Sequence, residues 1–372
     1  MSATPTPAKT LADWAPAVRG LYAQPTGDPD TPWQPVILSV KTEATCPEGA
    51  LEFSPVTDEA GEVNREALTE AFEACKTGGQ NPEAVTIKGL GSLKPAADDA
   101  ALTSLPLRQR VAVVTGAAGA IGRGICHRLL EQGACVAAAD LASDALIRFQ
   151  PEYSAEFGDR IMTVAIDVTK EESVKAGFDR VCERWGGVDI AVINAGIAHV
   201  AALTELPLET FRKLEQVNVD GTLLTLAAAA RLMKQQNTGG DIVLVSTKNV
   251  FAPGARFGAY SATKAASHQL ARIASLELAE FGIRVNMVAP DGVFSDDGKT
   301  KSGLWATVGP DRMKARGLDE KGLEDYYRNR NLLKMRVTAR HVANAVVFFV
   351  THQTPTTGAT IPIDGGLPDA TP

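Results

Sequence analysis

Val111-Ala112-Val113-Val114-Thr115, running without a break into Gly116-Ala117-Ala118-Gly119-Ala120-Ile121-Gly122, is the stretch that decides the fold. The first five residues are apolar or small on both sides of the alternation, which suits a strand covered on both faces. A helical pattern opens at about residue 120. A strand that passes through a glycine-rich turn into a helix brings free backbone N–H groups and the positive end of the helix to one point. Glycines there let the main chain approach a pyrophosphate. Thr115, Gly116, Gly119, Ile121 and Gly122 are the residues this reading assigns to it.

Downstream the same alternation repeats. Short runs rich in Val, Ile and Ala stand at 110–115, 134–139, 161–166, 189–193, 241–245, 284–288 and 360–363. Helical patterns stand at about 120–132, 171–185, 208–235, 260–281 and 338–350. Strand–helix alternation at this pitch predicts βαβ units and an α/β, doubly wound parallel sheet of Rossmann type. The segment 291–335 is long for a loop and reads as a candidate lid near the carboxyl ends of the strands.

Asp140 ends the second run, about twenty residues after the glycine turn. A carboxylate there accepts from both ribose hydroxyls and repels a 2′-phosphate. No Lys or Arg lies inside the glycine turn, and Arg123 follows it. Both points favour NAD over NADP. Asp167-Val168 and Asn194-Ala195-Gly196 end the next two strands, where adenine and ribose should pass. Tyr260 and Lys264 form Y-x-x-x-K, one helical turn apart on one face. A phenol with a pKa near ~10 is a poor base at neutral pH, and a neighbouring ammonium favours its ionised form. Such a Tyr exchanges a proton with an alcohol or carbonyl. Ser246 and Thr247 end the fifth strand; adjacent strand residues face opposite ways, so one of the two should meet the substrate. Asn218 lies inside a long Ala/Leu-rich helix, where it packs blandly or opens the backbone ladder to a water that relays protons from Lys264.

Over about residues 105–368 these parts, in this order, resemble the short-chain dehydrogenase/reductase superfamily. The resemblance implies Tyr260 as acid/base, Lys264 binding the nicotinamide ribose and lowering the Tyr pKa, and Asn218 completing a proton relay. The residue thirteen before Tyr260 would orient the substrate oxygen. That residue is Thr247, where the family usually has Ser, and it is preferred here to Ser246. A second departure is Pro290-Asp291-Gly292 in place of Pro-Gly, so Pro290 and Val293 are carried over weakly as cofactor contacts. Ser246 to Val250, Pro290-Asp291 and 323–334 further resemble the dehydrogenase half of bifunctional rhamnulose-phosphate aldolase/alcohol dehydrogenases, and sorbitol-6-phosphate dehydrogenases. Only about 100 residues precede this region here, too few for an aldolase, although 85–91 resembles the end of one. The resemblance also implies homodimers or homotetramers paired through the helices at 208–235 and 260–281. Lys248 and Asn249 are placed for polyol hydroxyls. Lys299, Lys301, Arg312, Lys314 and Arg316 give the lid a cationic run that either holds a phosphorylated sugar or is a solvated face.

Residues 1–104 read as an N-terminal extension, and 105–372 as the dinucleotide-binding catalytic domain. The extension holds 11 of the 21 prolines. From Thr4 to Pro35 no period is sustained, which predicts an irregular arm. Strands at 36–40 and 84–88 and a helix at 64–75 make a small α+β subdomain possible to build.

The net charge of −7 and the lack of a basic run argue against nucleic acid, and no apolar run is long enough for a membrane span. Cys46, Cys75, Cys126, Cys135 and Cys182 are odd in number and widely spaced, which gives neither a disulfide framework nor a metal site and points to the cytoplasm. Two functions stay open: an NAD-dependent oxidoreductase acting on a sugar, polyol or small hydroxyaldehyde, and a catalytically silent dinucleotide sensor or scaffold.

Overall fold

The computed structural model describes residues 9–42, 46–58, 61–294 and 303–367. Leu11–Tyr22 form a helix, α1. This corrects the irregular arm expected over 4–35. The amphipathic signal was absent because eight of the helix's 12 residues are buried, Trp14 and Val18 completely. A helix buried all round shows no polar stripe. Its start is legible in retrospect: the Asp13 carboxylate accepts from the Thr10 N–H at 2.7 Å, closing the first turn. A two-residue ribbon follows, β1 (Gln24–Pro25) against β2 (Trp33–Gln34).

Next come β3 (Leu38–Lys41), β4 (Ala50–Phe53), α2 (Arg65–Thr77), β5 (Ala84–Ile87) and β6 (Gly91–Pro95). The four strands make a mixed sheet in the order β3-β6-β5-β4. Asn64 caps α2 by accepting from the Ala67 N–H at 2.9 Å. Trp14, Phe53, Leu68, Phe72, Val85 and Leu93 form a core shared by α1, α2 and this sheet. Cys182 and Leu232 from the following region join that core, so the two parts are packed against each other.

The remaining strands are β7 (Val111–Thr115), β8 (Cys135–Asp140), β9 (Ile161–Ala165), β10 (Ile190–Ile193), β11 (Gly240–Val245), β12 (Ile283–Pro290) and β13 (Thr360–Ile363). They form one parallel sheet in the order β13-β12-β11-β10-β7-β8-β9. The order reverses between β7 and β10, and ligands of open α/β sheets bind at such a switch point. Alternation along β7 builds both core layers. Ala112 and Val114 face Ile125, Leu129 and Val346; Val111 and Val113 face Phe178, Val181 and Met233. Helices α3 (Ala120–Glu131), α4 (Asp144–Phe157) and α11 (Ala339–Val350) cover the first face. The second is covered by α5 (Glu171–Trp185), α7 (Gly221–Gln236) and α8 (Gly258–Glu277). A short α6 (Leu208–Glu215) runs into α7 through a π turn at Gln216–Asp220, so the helix expected at 208–235 is continuous, with Asn218 in its widened turn.

Two further differences from the sequence reading stand out. Helix α4 had no counterpart, and Pro151 within it weakens the helical signal. The stretch taken as a loop at 291–335 contains α9 (Gly303–Arg316) and α10 (Glu320–Arg330), with Pro310 inside α9. Lys299 and Lys301 of the expected cationic run lie outside the described residues. Cys126, Cys135 and Cys182 are buried core residues.

Candidate active site

The turn from β7 to α3 needs glycine for steric reasons. Gly116 has φ +65°, and a Cβ there would lie 2.9 Å from the Ala195 Cα and from the Asn194 amide. At Gly122 a Cβ would come within 2.2 Å of the Gly116 carbonyl. The Asn194 side chain donates to the Thr115 and Gly116 carbonyls, both at 3.0 Å, and the Asn194 N–H donates to the Thr115 hydroxyl at 3.1 Å. The Asn-Ala-Gly tip of β10 is thereby tied to the glycine turn across the switch point. Asp140, at the tip of β8, accepts from the Ala118 N–H at 2.8 Å and from the Leu141 N–H at 2.8 Å. Arg123 does not face this carboxylate; it pairs with Glu152 and lies over Phe149 and Tyr153.

Asp167 and Val168 follow β9. The Asp167 carboxylate accepts from the Thr169 hydroxyl at 2.7 Å, which helps hold its pKa below the usual carboxylate range. Val168 is buried under Gly221, where a Cβ would come within 2.8 Å of its side chain.

Tyr260, Thr263, Lys264, Ser267 and His268 share the inward face of α8 and are all buried. Thr247 and Tyr260 line the same cleft, where the Thr247 hydroxyl draws the phenol's pKa down against burial; that hydroxyl accepts from the Asn249 N–H at 3.3 Å. Ser246 is turned toward α8, with its hydroxyl 2.9 Å from Nδ1 of His268. Strand alternation thus separates the two hydroxyls: Thr247 meets the phenol and Ser246 meets the imidazole. The Lys264 ammonium donates to the Val245 carbonyl at 2.7 Å. Burial lowers the Lys264 pKa to about 8 and raises that of Tyr260 to about 12. The expected lowering of the phenol's pKa involves the ammonium together with a bound nicotinamide; in the chain by itself burial raises that pKa, and Lys264 is held by a backbone oxygen. Asn218 is fully buried. It accepts from the Ile197 N–H at 2.9 Å and donates to the Ile197 carbonyl at 2.9 Å and the Thr263 hydroxyl at 3.0 Å. The Thr222 hydroxyl donates to its main-chain carbonyl at 2.7 Å, and Ser267 shares a single proton between that oxygen and the Thr263 carbonyl.

One cleft joins the two halves of this arrangement. Ile121, Asn194 and Gly196 line it on the glycine-turn side; Thr247, Tyr260 and Lys264 line it opposite. Pro290 and Val293 border it, as do Lys248 and Asn249. Lys248 donates to the Ala252 carbonyl at 2.9 Å, and burial lowers its pKa. Asp291, the departure from Pro-Gly, is clasped by Arg330 of α10.

The short chain dehydrogenase family model matches residues 110–302. The chain belongs to the short-chain dehydrogenase family. An uncharacterised oxidoreductase of Bacillus subtilis is 37% identical over 265 residues, 70% of this chain but only 38% of that protein. The sorbitol-6-phosphate 2-dehydrogenase of Escherichia coli is 30% identical over 259 residues, 69% of this chain and 98% of its own length. The crystal structure of the Erwinia amylovora sorbitol-6-phosphate 2-dehydrogenase superposes with a TM-score of 0.64 at 28% identity, covering 68% of this chain and 98% of that one. Members of this family use nicotinamide dinucleotides and act on alcohols.

This short-chain dehydrogenase places several residues at the cleft that sequence reasoning passed over: Phe257, Val308, Tyr327 and Arg330. Thr263, Ser267 and His268 were missed as well, although their spacing from Tyr260 along α8 carries the helical period that would have found them. No helix among the described residues is long and apolar enough to cross a membrane.

Proposed function

We propose that this dehydrogenase interconverts a secondary alcohol and a carbonyl on a polyol or sugar, using NAD, with Tyr260 as the acid/base. The observation that carries the reading is the single cleft lined both by the residues beside the glycine turn and by Thr247, Tyr260 and Lys264. A dinucleotide fits the residues present, because the glycine turn brings the N-terminus of α3 to the switch point and leaves open space at Gly119, where a Cβ would meet only the Gly116 carbonyl, at 3.5 Å. When bound, its nicotinamide supplies the hydride acceptor or donor. Thr247 holds the substrate oxygen beside the phenol with which it shares the cleft. In oxidation Tyr260 takes the hydroxyl proton as the carbinol carbon loses hydride; in reduction it returns that proton. A buried phenol at about 12 ionises only with help. The Lys264 cation, one turn away, supplies it when it swings from the Val245 carbonyl toward the phenolate. Asn218 ends the proton path behind Lys264: a Cβ on Gly196 would lie 3.2 Å from the Asn218 oxygen and 3.8 Å from the Lys264 amine.

NAD is favoured by the Asp140 carboxylate at the turn and by the commitment of Arg123 to Glu152. Asp167, Val168, Asn194, Ala195 and Gly196 are assigned to the adenosine and ribose side, Pro290 and Val293 to the carboxamide side. The three buried thiols fit a reducing cytoplasm. Exposed Leu223 on α7 and Ile273 and Leu276 on α8 fit a homodimer or homotetramer.

The test is NADH absorbance across a panel of polyols and sugars. Tyr260→Phe should lose on the order of 10²–10⁴-fold in turnover while keeping its NAD affinity. Retained activity in that variant removes Tyr260 from the role assigned here.

A further inference from the structure

Asp291 replaces the glycine of Pro-Gly, and it brings a carboxylate into the cleft that Tyr260 lines. Its side chain is only 8% exposed. A carboxylate so placed opposes a second negative charge nearby, so it works against the phenolate that proton transfer needs. The phenol carries that mark: burial raises its pKa most, Thr247 lowers it, and Asp291 raises it again.

The fold answers this carboxylate from α10. Arg330 donates to it from Nε at 3.1 Å and from Nη2 to both oxygens. Packing aims the fork. The Arg330 guanidinium carbon lies 4.2 Å from the centroid of the Tyr327 ring. That ring lies against Gly292, where a Cβ would come within 2.6 Å of it. The carboxylate is fixed from its own side too, because the Asp291 N–H donates to the Ile363 carbonyl at 3.2 Å.

The other charged groups described at the cleft are engaged elsewhere. Lys264, on the phenol's own helix, donates to the Val245 carbonyl, and Lys248, after β11, donates to the Ala252 carbonyl. Arg312 of α9 lies over the Phe257 ring at 4.0 Å. Burial raises the pKa of the Tyr327 phenol. The loop after β10 and helix α6 bring apolar Ala198, Val200 and Leu214 to Tyr260.

We propose that Arg330 is a positioning residue for the proton transfer: by capping Asp291 it removes the carboxylate's opposition to the Tyr260 phenolate, and so sets the pH range in which Tyr260 exchanges its proton. This rests on the acid/base reading of Tyr260 above and deepens it. A close ion pair is a dipole, whose field falls off faster than that of a lone charge. The clasp therefore keeps Asp291 as a directional anchor for α10 while taking away most of its effect on the phenol.

The experiment follows tyrosinate absorbance of the full chain through a pH titration, with and without NAD. Subtracting the trace of Tyr260→Phe isolates one phenol of the five. Arg330→Met should move the Tyr260 transition up by on the order of one pH unit, and Asp291→Asn should move it down. With both substitutions together it should fall between the two single variants. Arg330→Lys, which keeps the charge and loses the fork, should stay near the wild type. The ascending limb of kcat/KM against pH, for a polyol that turns over, should move with the same signs. A Tyr260 transition that stays put in both single variants overturns the proposal, even where turnover falls, and reduces the pair to an anchor for α10. Matching shifts with no turnover of any polyol uphold the capping of Asp291 and overturn the reading of the reaction instead. Should Arg330→Met not fold, Arg330→Gln, which keeps a donor for the carboxylate, carries the same test.

Discussion

Lys264 pays for its position. Its ammonium is 4% exposed and hydrogen-bonds only a main-chain oxygen, so the fold penalises its charged form and lowers its pKa to about 8. The sign of the stability effect follows. Below pH 8 both folded and unfolded chains hold the proton, and the folded state bears the full penalty. Between about 8 and ~10.4 the folded state has released the proton while the unfolded state still binds it, so stability rises with pH. Lys264→Met should therefore stabilise the cofactor-free protein at pH 7, by on the order of 1–3 kcal/mol. That advantage should shrink as the pH approaches 10. Thermal melts of both proteins from pH 6.5 to 10 check it; a constant gap would show that the ammonium is already compensated. At this scale the sequence was most readable where the chemistry is local. The Tyr260–Lys264 pair and the glycines follow from spacing, while the choice of Thr247 over Ser246 follows from the family resemblance. Which member of the cationic run turns inward did not follow, because Pro310 blurs the period of α9 and only packing aims Arg312 over Phe257.

Among the elements, α1 shows what a pattern reader misses. The parallel strands announce themselves through apolar runs that burial on both faces imposes. Helix α1 is buried as thoroughly, but short, rich in Ala and carrying Pro16, so it resembles a linker. Its anchor is one long-range pair: Arg19 donates to both Asp189 oxygens at 2.8 and 2.9 Å, and the same carboxylate accepts from the Val111 N–H at 2.7 Å. The pair joins α1 to the foot of the strands that carry the glycine turn and the Asn-Ala-Gly tip. Removing one member of a buried pair leaves the other uncompensated, so Arg19→Met should cost about 3–5 kcal/mol. Urea denaturation measures it. A loss below ~1 kcal/mol, the range of surface pairs, would mean that water replaces the guanidinium.

For the whole molecule, the seven-stranded sheet and its switch point were foreseeable, and the four-stranded sheet only in fragments. Its strands β3 and β6 are far apart in sequence, and no local period records their pairing. Leu223, Ile273 and Leu276 lie on the outer faces of α7 and α8, with Leu276 at 80% exposure. Leu276→Asp should shift the light-scattering mass toward one chain if these helices carry self-association. An unchanged mass would move the contact elsewhere or leave the protein a monomer.

The Arg19–Asp189 pair also sets a timetable for synthesis, because its members are 170 residues apart in the chain. At a ribosomal rate of about 5–20 residues per second, the first helix leaves the exit tunnel on the order of 10–30 s before its carboxylate partner exists. Trp14 and Val18 are covered sooner, by the four-stranded sheet that is complete at Pro95, so through that interval it is the Arg19 guanidinium that waits for its partner.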